Sequence, residues 1–160
     1  MTPIVIRLAT SEDAPAVAAL IRSLDLYYVG PEVAQPMEPT LAMVERSMVE
    51  AEGTRYALAF LDGRPVGLAC FAVLRPGFRL SGLLFVKELF VEHQARGQAV
   101  GAGLMRWLAD YGRAHGLSRI DLTTEGTNTR AQAFYERLGG ERMDKVFYRF
   151  NLSTDVLSND

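Results

Sequence analysis

The spacing of apolar residues changes along this chain, and these changes predict short strands and amphipathic helices. Ile4 to Leu8 is predicted as a strand. Thr10 to Asp13 form a capping box that opens a helix whose apolar face reaches Leu24. A connection rich in Tyr and Pro, Tyr27 to Pro39, precedes a second helix capped by Thr40. The chain is therefore predicted to begin with one strand and two helices.

Three strands are predicted next, and a two-residue turn joins the first two. Tyr56 to Leu61 and Pro65 to Val73 are apolar runs on either side of Asp62-Gly63, a pair that favours a β-hairpin. Gly82 to Val91 is a third apolar run. We expect these strands to pair antiparallel.

Helices and strands alternate in the second half of the chain. An amphipathic helix from about Val100 to Ala114 is followed by a strand, Ser118 to Thr124, that can pair parallel to the strand before the helix. Asn128 opens another helix, and Gly139 with its following glycine stops it. Val146 to Leu152 is predicted as the last strand.

Composition favours one globular domain. The chain has 160 residues, of which 49% are hydrophobic and 22% are charged. We expect a single domain over residues 1–152 and a polar C-terminal tail over 153–160. The net charge of −2, without a basic cluster, argues against nucleic acid as the partner. The longest apolar run, Leu68 to Leu74, is too short for a membrane span, and no signal peptide is visible, so we expect a cytoplasmic protein.

Cysteine and histidine usage argues against a metal site. Cys70 is the only cysteine, which excludes an internal disulfide and a cysteine-based zinc site. The apolar residues on either side of Cys70 predict that it is a small, buried side chain in a strand. His93 and His115 are far apart in the sequence and lie at predicted element ends. We therefore expect no bound metal.

A glycine-rich turn after Val91 is the strongest chemical signal. The turn from Arg96 to Gly101, called the glycine turn below, has small residues at Gly97 and Ala99 and runs directly into a helix. Backbone N–H groups and the positive end of a helix dipole would meet there, which suits an anion such as a pyrophosphate. The same pattern also serves simply to pack a helix closely on a sheet. It matches neither the P-loop nor the Gly-x-Gly-x-x-Gly fingerprint.

Two separated motifs resemble the GNAT superfamily of acyl-CoA N-acyltransferases. The first is Gln94-x-x-Gly97-x-Ala99 with Arg96 inside it, and the second is Asn128-x-x-Ala131-x-x-Phe134-Tyr135-Glu136-Arg137-Leu138-Gly139. The resemblance is close from about residue 83 to residue 150. It implies an α+β fold with a mixed, mostly antiparallel central sheet of about six to seven strands. About four helices flank this sheet, which is splayed between its fourth and fifth strands.

The resemblance has two departures and points weakly to one branch. The family more often has glycine at Ala99 and an aromatic residue at Gly140. The strand from Val86 to Val91 and the ending Lys145 to Arg149 look most like the diamine acetyltransferases. That branch has an acid where this chain has Lys87, a departure that makes a polyamine acceptor a less safe prediction.

The resemblance implies acetyl-CoA as cosubstrate. The glycine turn would bind the pyrophosphate, the strand before it would offer main-chain groups to the pantetheine arm, and Asn128 would hydrogen-bond that arm. The implied cofactor-binding residues are Leu89, Phe90, Val91, Arg96, Gly97, Gln98, Ala99, Val100, Gly101, Asn128 and Phe134.

Tyr135 and Glu88 are the candidate catalytic residues. The Tyr135 phenol would protonate the departing thiolate, given ordinary pKa values of about 10 and about 8.5. Tyr135 could instead be a core residue, and Asn128 only an N-cap. An acidic side chain in an apolar strand is costly without a purpose, which makes Glu88 the candidate base. Glu88 could instead form an ion pair, and Glu125 is a rival carboxylate.

These residues together predict an N-acetyltransferase in which a neutral primary amine attacks acetyl-CoA directly within a ternary complex. The acceptor would be a small-molecule amine or a peptide amine. Two alternatives are an acyl-CoA-binding sensor without catalysis and a protein lysine or N-terminal acetyltransferase. No metal, nucleic acid or membrane is expected to take part, and a homodimer is the expected assembly.

Overall fold

A five-stranded sheet organises the larger part of the chain. The protein is described by a computed structural model over residues 3–49 and 53–157, except for the Phe78 side chain. Two compact units are present, one ending at Thr123 and one starting at Thr124. The elements are β1 (Ile4–Leu8), α1 (Ala14–Val29), α2 (Met37–Val49), β2 (Thr54–Leu61), β3 (Arg64–Leu74), β4 (Leu83–Val91), α3 (Val100–Ala114), β5 (Arg119–Leu122) and α4 (Thr129–Arg137).

The sheet follows the order of the chain, β1-β2-β3-β4-β5. The first three pairs are antiparallel, and β4 pairs parallel with β5, so that α3 forms the crossover between them. Asp62 and Gly63 both have positive φ, 50° and 71°, as the predicted two-residue hairpin requires. The predicted α+β fold with a mixed, mostly antiparallel sheet and four helices is confirmed.

Helices cover both faces of this sheet. On one face α3 buries Leu104 and Leu108 against strand residues that include Phe71. On the other face α1 and α2 pack through Val17 and Val44. Strand alternation separates the two layers, because successive side chains of a strand point to opposite faces.

The first helix is longer than predicted. α1 continues through Tyr27 and Tyr28 to Val29, and Gly30, with a φ of 77°, ends it. α2 begins at Met37, one turn before the predicted cap, Thr40. The irregular connection is therefore only residues 30–36, because the apolar spacing of α1 continues past Leu24 until a glycine permits the left-handed backbone.

The smaller unit contains α4 and a C-terminal segment. Gly139, with a φ of 91°, ends the helix as predicted. The predicted strand over residues 146–152 is wrong: residues 141–151 form no strand. A strand needs a neighbour for its backbone hydrogen bonds, and no strand of the described residues pairs with this segment. The described residues thus contain five strands, where about six to seven were predicted.

Candidate active site

β4 changes its environment halfway along its length. Its first part, Leu83–Val86, pairs with β3 on one side and with β5 on the other. From Glu88 to Val91 it pairs only with β3, because the ladder to β5 ends at Val86. The splaying predicted between the fourth and fifth strands is present, and it opens one edge of β4.

A β-bulge lies at the start of this open edge. Cys70 pairs with Glu88 while Phe71 pairs with Val86, so Lys87 is the extra residue on β4. A bulge bends its strand and re-aims the side chains around it. Lys87 Nζ donates a hydrogen bond of 2.9 Å to Glu88 Oε1, although neighbours on a regular strand point to opposite faces.

The register fixes which main-chain groups face the open edge. The Glu92 N–H donates to the Val66 carbonyl at 2.9 Å, which makes these two residues a hydrogen-bonded pair of the ladder. Since such pairs alternate in an antiparallel ladder, the main-chain groups of Phe90 point toward β3. Those of Leu89 and Val91 point away from β3. Leu89 and Val91 therefore carry the donors and acceptors of the open edge.

The glycine turn has left-handed backbone at two positions, a conformation that glycine adopts most readily. Gly97 has a φ of 78°, and Ala99, the N-cap of α3, has a φ of 62°. The first N–H groups of α3 lack an acceptor within the helix. Residues 97–99, which come directly before the helix, are exposed. Arg96–Gly101 are thus brought together as a cradle of backbone donors at a helix N-terminus.

Arg96 connects the glycine turn to β4 and to α1. Its Nε donates a hydrogen bond of 3.0 Å to the Val91 carbonyl. Its guanidinium carbon lies 4.7 Å from the centre of the Tyr27 ring, at cation–π distance. Nearby, Ser23 Oγ donates to Glu92 Oε1 at 2.9 Å. The end of α1 therefore holds the segment that follows β4.

Tyr27 is the contact that sequence reasoning missed, since it was assigned to an irregular connection. Helical spacing provides the only signal: Ser23 and Tyr27 are four residues apart and so share a helix face.

Glu88 lies on the face of the sheet that carries α1 and α2. It shares this face with Phe90 by strand alternation, and its side chain is 37% exposed. Burial raises the pKa of the Tyr28 phenol, and the negative charge of Glu88 raises it further. The pKa of Cys70 rises to about 11, chiefly through burial and secondly through Glu88. Glu88 thus acts electrostatically on a tyrosine and a cysteine beside it.

In the smaller unit, α4 carries the other predicted site residues. Asn128 Oδ1 accepts a hydrogen bond of 3.1 Å from the Ala131 N–H, so it is the N-cap of α4. This bond does not use the side-chain NH₂ donor of Asn128. Tyr135, seven residues along, lies on nearly the same helix face and is half-buried. Its ring meets that of Phe134 edge to face, at 5.2 Å between centres.

Two kinds of feature are absent from residues 3–49 and 53–157. No helix there combines the length and the apolar character that crossing a membrane requires. No three His, Cys, Asp or Glu side chains there lie together as a metal site would need.

Comparisons with known proteins agree on one fold. An integron cassette protein from the mobile metagenome of V. cholerae superposes with a TM-score of 0.90 and 27% identity, over 100% of this chain and 99% of that one. The aminoglycoside N-acetyltransferase AAC(6')-Iy, solved with CoA, superposes with a TM-score of 0.77 and 21% identity, over 95% and 97% of the two chains.

One sequence relative and one family model also match. An uncharacterised N-acetyltransferase of Methanocaldococcus jannaschii is 29% identical over 87 residues, which are 54% of this chain and 38% of the relative. The chain thus spans well under half the length of that relative. The model of the Acetyltransferase (GNAT) family matches residues 18–140. The chain belongs to the Acetyltransferase (GNAT) family.

Proposed function

We propose that the protein is an N-acetyltransferase that transfers the acetyl group of acetyl-CoA to a primary amine. The observation that carries the proposal is the open edge of β4, which ends beside the glycine turn and the N-terminus of α3. The arm of CoA consists of an extended chain with amide groups and a pyrophosphate. The open edge of β4 suits the amide chain, and the glycine turn at the N-terminus of α3 suits the pyrophosphate.

The glycine turn suits the pyrophosphate. Its N–H groups and the positive end of the helix dipole favour phosphate oxygens, and the left-handed backbone at Gly97 and Ala99 shapes the turn. The amides of the pantetheine arm can add to the open edge as a further strand would. Leu89 offers its main-chain N–H and carbonyl there, and Val91 offers its N–H, since its carbonyl already accepts from Arg96. In this proposal Asn128 donates its side-chain NH₂ to the arm and Phe134 contacts it.

Glu88 and Tyr135 move the protons in the proposed reaction. A primary ammonium has a pKa of about 10.4, so it must lose a proton, to Glu88 directly or through water, before the nitrogen can attack. The nitrogen then forms a bond to the thioester carbonyl carbon. The C–S bond breaks, and CoA leaves as a thiol with the proton of the Tyr135 phenol. The attacking nitrogen loses its extra proton as the amide forms, and in this proposal that proton, passed through water, restores the phenol. Main-chain N–H groups at the end of β4 polarise the carbonyl in this proposal.

The acceptor is proposed as a small-molecule amine or a peptide amine. The neighbour AAC(6')-Iy is named an aminoglycoside N-acetyltransferase, which supports including aminoglycosides among the acceptors to test. The charge of Glu88 helps raise the pKa of the Tyr28 phenol near the end of α1, so in this proposal residues near Tyr28 contact the acceptor.

Thiol release tests this function. Polyamines, amino acids, aminoglycosides and peptides would each be incubated with acetyl-CoA and the protein. For the best acceptor we expect Tyr135→Phe to lower kcat by roughly 100-fold to 1000-fold, as the loss of a general acid does. Tyr111→Phe is the matched control, because Tyr111 belongs to the ring stack of α3. We expect it to keep kcat.

Binding measured by calorimetry separates the alternatives. CoA binding without thiol release from any acceptor would favour the sensor, and an unchanged kcat in Tyr135→Phe when chemistry limits the rate would contradict the acid role. Gly97→Val should weaken CoA binding, since its φ of 78° strains a branched side chain.

A further inference from the structure

Lysine is scarce in this chain, and one of its lysines lies at the open edge of β4. Lys87 and Lys145 are the only lysines among the 17 basic residues. Lys145 is an exposed residue of the smaller unit. Lys87 is the extra residue of the β-bulge, at the point where the ladder to β5 has ended. The two side-chain amines of the protein therefore stand in different surroundings.

Lys87 holds its amine against the proposed base. Its Nζ donates a hydrogen bond of 2.9 Å to Glu88 Oε1, and the Lys87 side chain is 69% exposed. An exposed ion pair contributes little to stability, so it opens easily. The proposed reaction requires a primary ammonium within hydrogen-bond reach of a carboxylate that can take its proton. Lys87 thus has the position of an acceptor amine relative to Glu88.

The proposed position of acetyl-CoA brings the thioester to the same place. In that proposal the pyrophosphate lies at the glycine turn, beyond Val91, and the pantetheine arm follows the open edge of β4 back toward the bulge. From Val91 to Lys87 the strand covers about 13 Å, since each residue advances by about 3.3 Å. The reactive end of the arm then lies at the end of the open edge where Lys87 and Glu88 stand.

We infer that the protein acetylates its own Lys87 from bound acetyl-CoA, an inference that rests on the proposed function. Glu88 takes a proton from the Lys87 ammonium, and the freed electron pair of Nζ forms a bond to the thioester carbonyl carbon. The C–S bond breaks, and its electrons go to sulfur. The nitrogen loses a second proton as the amide forms. The departing sulfur takes up one proton and leaves as the CoA thiol, and the proton on Glu88 passes to solvent.

Acetylation of Lys87 changes the site that performs it. The amide product has no positive charge, so the ion pair with Glu88 is lost. An external ammonium then binds the Glu88 carboxylate without competition from Lys87. Lys87→Gln, which also carries a neutral amide, should therefore lower KM for the acceptor amine relative to Lys87→Arg. An equal KM in the two variants would contradict this regulatory effect.

Peptide mass spectrometry tests the modification on the full chain. The protein would be incubated with acetyl-CoA alone, and acetylation would be followed at Lys87 and at Lys145. We expect Lys87 to react roughly 100-fold faster, which is the contribution of a positioned base. Glu88→Gln should reduce the rate at Lys87 to that at Lys145, and in urea the two lysines should react alike. Equal rates in the native chain, or a fast reaction at Lys87 that survives Glu88→Gln, would overturn the inference.

Dilution separates transfer within one chain from transfer between chains. At saturating acetyl-CoA the rate of Lys87 acetylation per chain should not depend on the protein concentration, because the amine and the site belong to one molecule. A rate that rises in proportion to the protein concentration would overturn the inference.

Thiol release with external amines separates this inference from the proposed function. Thiol release with an external amine, while Lys87 stays unmodified, would overturn self-acetylation and leave the proposed function in place. No release with any amine and no modification of Lys87, although CoA binds, would overturn both.

Discussion

The two halves of β4 differ in the number of neighbouring strands. Leu83–Val86 lie between β3 and β5, with Leu84 and Val86 buried. Beyond the bulge at Lys87, the strand keeps β3 and loses β5. A strand that is paired on both sides has no main-chain group left for a ligand. A strand that is paired on one side only keeps main-chain donors and acceptors on its free edge. The first half therefore supplies stability and the second supplies the proposed chemistry, a division that can be tested by substitution.

Glu88 in the open half should give the largest effect. Glu88→Gln keeps the size of the side chain and removes the base, so we expect kcat to fall roughly 1000-fold at neutral pH. The free energy of unfolding should change little, because the side chain is 37% exposed. The measurement is kcat over pH, with Glu125→Gln, the rival carboxylate, as the control that leaves Glu88 in place. An unchanged kcat in Glu88→Gln would show that another group is the base.

Leu84 in the closed half should give the opposite pattern. Its side chain is fully buried, so Leu84→Ala should lower the free energy of unfolding by about 3 kcal/mol. The folded fraction should bind CoA with unchanged affinity. Urea denaturation followed by calorimetry under folding conditions would check both. A weakened CoA affinity with little loss of stability would break the division between the two halves.

Local patterns were enough to predict most of this fold. The hairpin at Asp62-Gly63, α3 from Val100 to Ala114 and the stop at Gly139 all depend on residues close in sequence. The splay between β4 and β5 was predicted from the resemblance to the GNAT superfamily, which the glycine turn helps to carry. The spacing of apolar residues does not reveal this splay.

Features set by pairing between distant segments could not be predicted. The bulge at Lys87 depends on the register of β4 against β3, which lies outside any single strand. The contact of Tyr27 with Arg96 depends on how α1 packs on the sheet. Residues 146–152 have the composition of a strand, but a strand also requires a neighbour, and one sequence does not reveal whether its own chain supplies it.

Cys70 lies at the border between the two halves, opposite Glu88. Its pKa is raised from 9.0 to about 11, and the thiolate is the reactive form. At about pH 8 the thiolate fraction should therefore be about 100-fold below that of an ordinary thiol, and it should increase as the pH rises toward the raised pKa.

Iodoacetamide alkylation of the native chain, compared with the chain in urea, measures the reactivity of Cys70. Glu88→Gln should speed the native reaction, since it removes the second cause of the shift. Equal rates in the native and unfolded chains would show that Cys70 does not have this environment.

Tyr27 should give the smallest effect, at the far end of the open half. Its ring holds the Arg96 guanidinium at 4.7 Å, and Arg96 in turn bonds the Val91 carbonyl. Tyr27→Leu removes a cation–π contact of about 1 kcal/mol, so the Kd for CoA should rise about fivefold. Tyr28→Leu is the matched control, and it should leave the Kd unchanged while altering KM for the amine. If both variants change the CoA affinity equally, α1 supports the glycine turn by packing alone, and Tyr27 has no specific part in positioning Arg96.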